Sequence, residues 1–213
     1  MDTTSSNSNS NSNSNLSLDS KKLEDELKNI MVLLTNSAGN DDAILSILEK
    51  FYTDHKDDPE TISALLLMKN AYKTSLLHIL AYHSGIRSLT FILDNFPNAV
   101  SHLNDKNSTG QTPLMLATIF ERYNTLEILI QNGALINEQA LNGNTALHIT
   151  IEHSLNPKIV NLLLQNGADL DKRNNENESP KDVAIAVANL LPCNENAIAN
   201  RDLLVNHQEL PPY

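Results

Sequence analysis

The chain has 213 residues, 40% of them apolar but only 4% aromatic, with no tryptophan and a net charge of −11. That length and composition suit one domain with tails and an aliphatic core, and they favour packed helices over an aromatic-rich sandwich. The negative charge argues against direct nucleic-acid binding, which needs Lys and Arg on phosphates, and suits a basic or mixed protein partner. A single cysteine, Cys193, excludes an internal disulfide and a thiolate metal site, as expected of a reducing compartment. No basic-then-apolar leader is visible, and no apolar run nears the roughly 18 residues of a membrane span.

Residues 1–18 begin as a Ser/Asn alternation that buries no apolar surface, which predicts a disordered tail. A first helix is expected from Asp19 to about Leu34, capped by Asp19 or Ser20. Its apolar stripe would be Leu23, Leu27, Ile30, Leu33 and Leu34. A second is expected from Asp41 to Tyr52, with Asp41 and Asp42 at its positive end and Ile44, Leu45, Ile47, Leu48 and Phe51 buried. Pro59 suits the first turn of a third helical run, Thr61 to Met68. Residues 19–69 therefore read as an N-terminal helical cap or a divergent repeat.

Residues 70–191 are periodic. Ser75-Leu76-Leu77-His78, Thr112-Pro113-Leu114-Met115, Thr145-Ala146-Leu147-His148 and Ser179-Pro180-Lys181-Asp182 follow one another at intervals of 37, 33 and 34 residues. Each Ser or Thr can cap a short helix, and Pro113 and Pro180 sit where a missing amide hydrogen costs little. Leu77, Leu114 and Leu147 should be buried between repeats. The second apolar runs, Leu89–Leu93, Leu126–Ile130 and Ile159–Leu164, follow as second helices. Gly133 and Gly167 end two of these, and Gly110 and Gly143 serve the turns before the short helices. In the fourth copy Lys181 and Asp182 replace the Leu and His, as a polar end face requires, while Val183–Ala188 stays apolar. Residues 192–213 read as a C-terminal tail.

A period near 33 with a Thr-Pro-Leu-His motif resembles the ankyrin repeat. The expected fold is an all-α ankyrin-repeat solenoid of about four repeats with an N-terminal helical cap. Within that family, Leu141–His148, Leu163–Asp169 and Arg173–Pro180 resemble the last repeats of the IκB proteins, most of all the atypical nuclear, IκB-zeta-type members. Thr74–Ile79 with Ser88–Leu93 is similar to their first repeat, and Pro211-Pro212-Tyr213 to the zeta-type ending. The resemblance implies a regulator that binds Rel/NF-κB dimers and modulates transcription in innate immune signalling, in the nucleus or the cytoplasm. No Asp-Ser-Gly-x-x-Ser degradation signal is present, so a constitutive inhibitor is the expected form. Two other readings remain open. One is a generic ankyrin adaptor or assembly chaperone. The other is a viral or microbial host-mimic effector that sequesters a host factor.

No enzyme, cofactor or small-molecule substrate is expected. His78 and His148 occupy one repeat position and should donate hydrogen bonds in the turn network, because no second ligand stands at metal spacing. His102, His153 and His207 are isolated. No nucleophile elbow or Gly-x-x-x-x-Gly-Lys run occurs. Leu210–Tyr213 has a form that a WW-type groove could take. Binding must then come from surface, in a chain expected to be monomeric when free. The candidate contacts are turn tips and short-helix exits. The tips are Asn107 and Thr109 with Gln111, then Leu141 and Asn142 with Asn144, then Asn174, Asn175 and Asn177. The exits are Phe120, Arg122, Tyr123, Glu152 and His153; Phe120 beside Arg122 and Tyr123 has the composition of a binding hot spot.

Overall fold

The computed structural model describes residues 11–37 and 40–206. The expected order or disorder of residues 1–10, and the Leu210–Tyr213 motif, lie outside them. Among the described residues eleven α-helices follow in order: α1 (Asn11–Asn36), α2 (Asp41–His55), α3 (Pro59–Leu67), α4 (Leu76–His83), α5 (Ile86–Asn95), α6 (Pro113–Ile119), α7 (Tyr123–Gln131), α8 (Ala146–Ile149), α9 (Pro157–Gln165), α10 (Pro180–Leu190) and α11 (Glu195–Asn206). Among the described residues no strand forms. The fold is an all-α repeat solenoid.

Each repeat is an inner helix (α4, α6, α8 or α10) and an outer helix (α5, α7, α9 or α11). Inner helices stack on one another, while α5 packs on α7 and α9 on α11. Ser75, Thr112, Thr145 and Ser179 are the four inner N-caps, as their spacing predicts. Leu77, Leu114 and Leu147 are each 1% exposed, because a repeat covers one side of its leucines and its neighbour the other.

The uneven spacing has a local cause at each place. The long first interval holds a 3-10 turn, Ala99–His102, placed after α5 and against α3. Repeat 3 has one residue more between its cap Thr145 and the left-handed Leu155 than repeat 2 has between Thr112 and Glu121. A π-turn over Thr150–Ser154 absorbs it.

Several expectations are corrected. Helix α1 starts at Asn11, ahead of Asp19, so residues 11–18 are helical rather than an irregular tail. Its buried stripe is Leu27, Ile30, Met31 and Leu34; Leu33 is 53% exposed, since it falls one helical step off that line. The assignment of 192–213 as a tail fails over Glu195–Asn206, where α11 completes the fourth repeat. Its polar sequence hides a buried line of Ala197, Asn200 and Leu204. The fourth repeat is also less polar at its end than Lys181 and Asp182 suggest. Ile185, Leu190, Leu191 and Val205 are exposed.

The segment before repeat 1 is stacked as a repeat would be: α1 lies against α4, and α2 against α5. Asp41, expected to serve only its own helix, also caps α5. Gly85 opens α5 with no side chain to cap it. The Asp41 carboxylate accepts instead from the amides of Arg87 (2.8 Å) and Ser88 (3.1 Å) and from the Ser88 hydroxyl (2.5 Å). Arg87 in turn pairs with Asp42.

Gly110 and Gly143 sit at φ +77° and +81°, and a Cβ there would lie 2.6 Å from the Leu141 nitrogen and 2.5 Å from the Asn175 nitrogen, respectively. Two constraints therefore coincide: left-handed backbone and a neighbouring tip with no room to yield. Gly133 shares the left-handed backbone, at φ +91°, but a Cβ there would meet nothing within 4 Å. Gly133→Ala should therefore cost only the conformational penalty, about 1–2 kcal/mol. Gly143→Ala should cost about 2–5 kcal/mol, as the clash adds to it. Urea unfolding of the two variants checks the difference; equal losses would mean that the tips do not press on each other.

Candidate protein-interaction face

The four hairpin tips are built alike. Each holds a left-handed residue two places before the inner-helix cap: Lys73, Gly110, Gly143 and Asn177. In three of them an Asn side chain braces the turn. Asn70 accepts from the amides of Tyr72 and Thr74, Asn107 from those of Thr109 and Gln111, and Asn174 from those of Glu176 and Glu178. Repeat 3 has Ala140 at that place, and Asn142 takes over by accepting from the Asn144 amide. Consecutive tips are joined by one backbone bond each: Ser108 N–H to Tyr72 C=O, Leu141 N–H to Thr109 C=O, and Asn175 N–H to Asn142 C=O.

His78 and His148 link each inner helix to the next tip. Nδ1 of each accepts from the backbone amide of its own cap, Ser75 (3.3 Å) and Thr145 (3.2 Å). Nε2 faces the carbonyl of Gln111 (2.9 Å) and of Glu178 (3.0 Å). A carbonyl can only accept, so Nε2 carries the proton and donates, which leaves the ring neutral. Burial lowers both imidazole pKa values below the ordinary 6.5. In repeat 4 Asp182 takes the histidine's place. Its Oδ2 accepts from the Ser179 amide at 2.9 Å, so the residue that breaks the motif keeps its hydrogen bond to the cap. Those bonds to Ser179 hold the Asp182 carboxyl below its usual pKa.

The candidate contact residues divide on this frame. Leu141 is 71% exposed at the third tip, and Asn142, Thr109, Asn175 and Asn177 are exposed beside it. Asn107, Gln111 and Asn174 are half-buried and turn into their own tips. Asn144 is corrected from surface contact to internal strut. It is 5% exposed, donates to Glu152 (2.8 Å) and accepts from Asn174 (3.0 Å). Glu152 is held by that bond. Partial desolvation raises its carboxyl pKa, opposed by His153 and reinforced by Glu176 and Glu178. His153 stays largely exposed.

The inner-helix exits of repeats 1 and 2 meet in an aromatic contact that the sequence reading half anticipates. Phe120 stands edge-on to Tyr82, with ring centroids 4.4 Å apart, and both rings are exposed, as is Tyr123. Arg122 Nε donates to the Tyr82 carbonyl at 3.1 Å, pinning one exit to the other. Tyr82 escaped the sequence analysis because its neighbour in space lies a full repeat away. The exposed Tyr72 at the first tip escaped it too. A helical wheel of α4 combined with the repeat register would have flagged Tyr82. Among the described residues no group of three or more His, Cys, Asp or Glu could hold a metal ion, and no helix is long and apolar enough to cross a membrane.

A family profile described as ankyrin repeats, in three copies, matches residues 36–140 and again 77–174, more than half of the chain. The chain belongs to the ankyrin-repeat family. That family is a protein-interaction fold without catalytic machinery. An ankyrin repeat protein of fowlpox virus is 40% identical over 75 residues, 35% of this chain. The B-cell lymphoma 3 protein homolog of Mus musculus is 28% identical over 128 residues, 60% of this chain. The nuclear factor NF-kappa-B p105 subunit of Gallus gallus is 31% identical over 140 residues, 63% of this chain. The chain spans only 22%, 28% and 14% of these relatives, respectively. The viral and NF-κB-related relatives do not single out the IκB-zeta type within the family.

The histidine bonds have a pH consequence. Their folded pKa values lie below the unfolded value of about 6.5. As pH falls below about 6.5 the unfolded chain takes up protons that the folded chain refuses, so stability is complete above that pH and declines below it. The urea midpoint should therefore fall between about pH 7.5 and 5.5. A His78→Gln/His148→Gln double variant should have a flatter profile, with a remainder from His83, whose pKa burial also lowers.

Proposed function

We propose that the chain is a protein-binding regulator whose inner-helix exits and hairpin tips engage a Rel/NF-κB protein. The observation that carries the binding face is the exposed aromatic contact of Tyr82 and Phe120, flanked by Tyr123 and by Arg122. Aromatic rings and arginine are the side chains that most often dominate binding energy, and here they stand together on a rigid stack. The Rel assignment draws on the B-cell lymphoma 3 and p105 relatives, the second being by name an NF-κB subunit. Under this reading the chain acts as an inhibitor, in the nucleus or the cytoplasm, by occupying the partner. A second reading, capture of a host factor by a viral-type ankyrin protein, draws on the fowlpox relative.

Both readings use the same face and differ in the partner. A purified Rel homology region should form a stable complex with the full chain at modest salt. Phe120→Ala should weaken that complex about tenfold or more while the circular dichroism spectrum is unchanged. No complex with any Rel protein, from a chain shown to be folded, would end the Rel assignment. A complex indifferent to Phe120→Ala and to Tyr82→Ala would end the face assignment.

A further inference from the structure

The last helix of the stack is unlike the outer helices before it. In repeats 1–3 the third, fourth and seventh residues after the N-cap are buried: Ser88, Leu89 and Ile92 in α5, Thr125, Leu126 and Leu129 in α7, Ile159, Val160 and Leu163 in α9. Each of these helices is thus fixed by at least two large aliphatic anchors on consecutive turns.

Helix α11 has a different register. Asn194 is its cap, accepting from the Ala197 amide at 3.0 Å. Counting from it, the fourth residue is Ile198, only half-buried, and the seventh is Arg201, whose guanidinium turns to Asp202. The residues buried outright are Ala197, Asn200 and Leu204, with Leu203 packed part-buried against the core. One fully buried leucine replaces two. Beside it Asn200 is wholly buried, and neither its Oδ1 nor its Nδ2 finds a hydrogen-bond partner among the described residues. A carboxamide taken from water without replacement bonds works against docking, on the scale of what one buried leucine contributes. Asn196, Asn200 and Asn206 also make α11 a weak helix former by itself.

Helix α11 covers α10 and α9. Helices α9 and α10 carry buried apolar residues, Val183, Ala184 and Ala188 among them, and both also pack on the inner helix and π-turn of repeat 3, contacts that remain when α11 leaves. We propose that α11 is a releasable cover. It opens as a unit while α4–α10 stay folded, and each opening bares the faces of α9 and α10 that it covers. The unbonded Asn200 sets the ease of opening: in the released helix its amide regains water, so the device is a polar group placed where an aliphatic one would lock the stack.

Hydrogen exchange on the intact chain under native conditions tests this. Amides of α11 should exchange together and at least about tenfold faster than those of α9 and α10. Asn200→Leu should slow α11 by about tenfold or more and leave α4–α7 unchanged. Equal protection of α11 and α9 in the unmodified chain would overturn the proposal, whatever the variant does. So would a variant that slows every helix alike, or none.

Discussion

Hydrogen bonds that cross from one repeat to the next hold the register of the stack. A two-helix repeat leaves one side of its leucines open and one edge of its hairpin unbonded, so neither is stable alone. The tip amides of Ser108, Leu141 and Asn175 close the hairpin edge on the preceding tip. The Nε2 protons of His78 and His148 close the inner helix on the following tip. The two sets run in opposite directions along the chain. A slip by one residue would break both at once and pull the leucines out of line, so a single register wins although the repeats are chemically alike.

This explains which features could be read from the residues in advance. Caps, left-handed glycines and the leucine between repeats are local, short and repeated, so four imperfect copies reinforce one another. Ser179 and Thr112 announce their helices without help from the fold. The function of Asp41 could not be read in this way. Its own helix gives it a sufficient reason to be acidic, and the amides it bonds lie more than forty residues later. Helix α11 was hidden for another reason: its buried line of Ala197, Asn200 and Leu204 holds one strongly apolar residue. A pattern search driven by hydrophobic period has nothing to find there.

The candidate face divides along the same line. Exposure of Leu141 and Phe120 follows from their places at a tip and at a helix exit, which the repeat register supplies. Asn144 occupies a tip as well, yet its side chain is drawn inward by Glu152 and Asn174. Polar residues at a turn are ambiguous in sequence, because the same amide can face solvent or brace a neighbour. Only the next repeat decides. The pairing of Tyr82 with Phe120 is likewise a property of two repeats, invisible within either. Counted from the caps, Glu152 and His153 stand in repeat 3 where repeat 2 has Ile119 and Phe120, so the face changes from aromatic to charged along its length.

The Asp41 carboxylate also bears on where the domain begins. Judged by periodicity, the boundary falls near Asn70, where the repeat motif starts. Judged by hydrogen-bond connectivity, it falls before Asp41. A cut at Asn70 would strip two backbone amides and a buried hydroxyl of their acceptor and leave the face of α5 that α2 covers open to water. The irregular N-terminal pair is thus the foundation on which the regular repeats rest, and the smallest autonomous piece of this protein is longer than its recognisable motif.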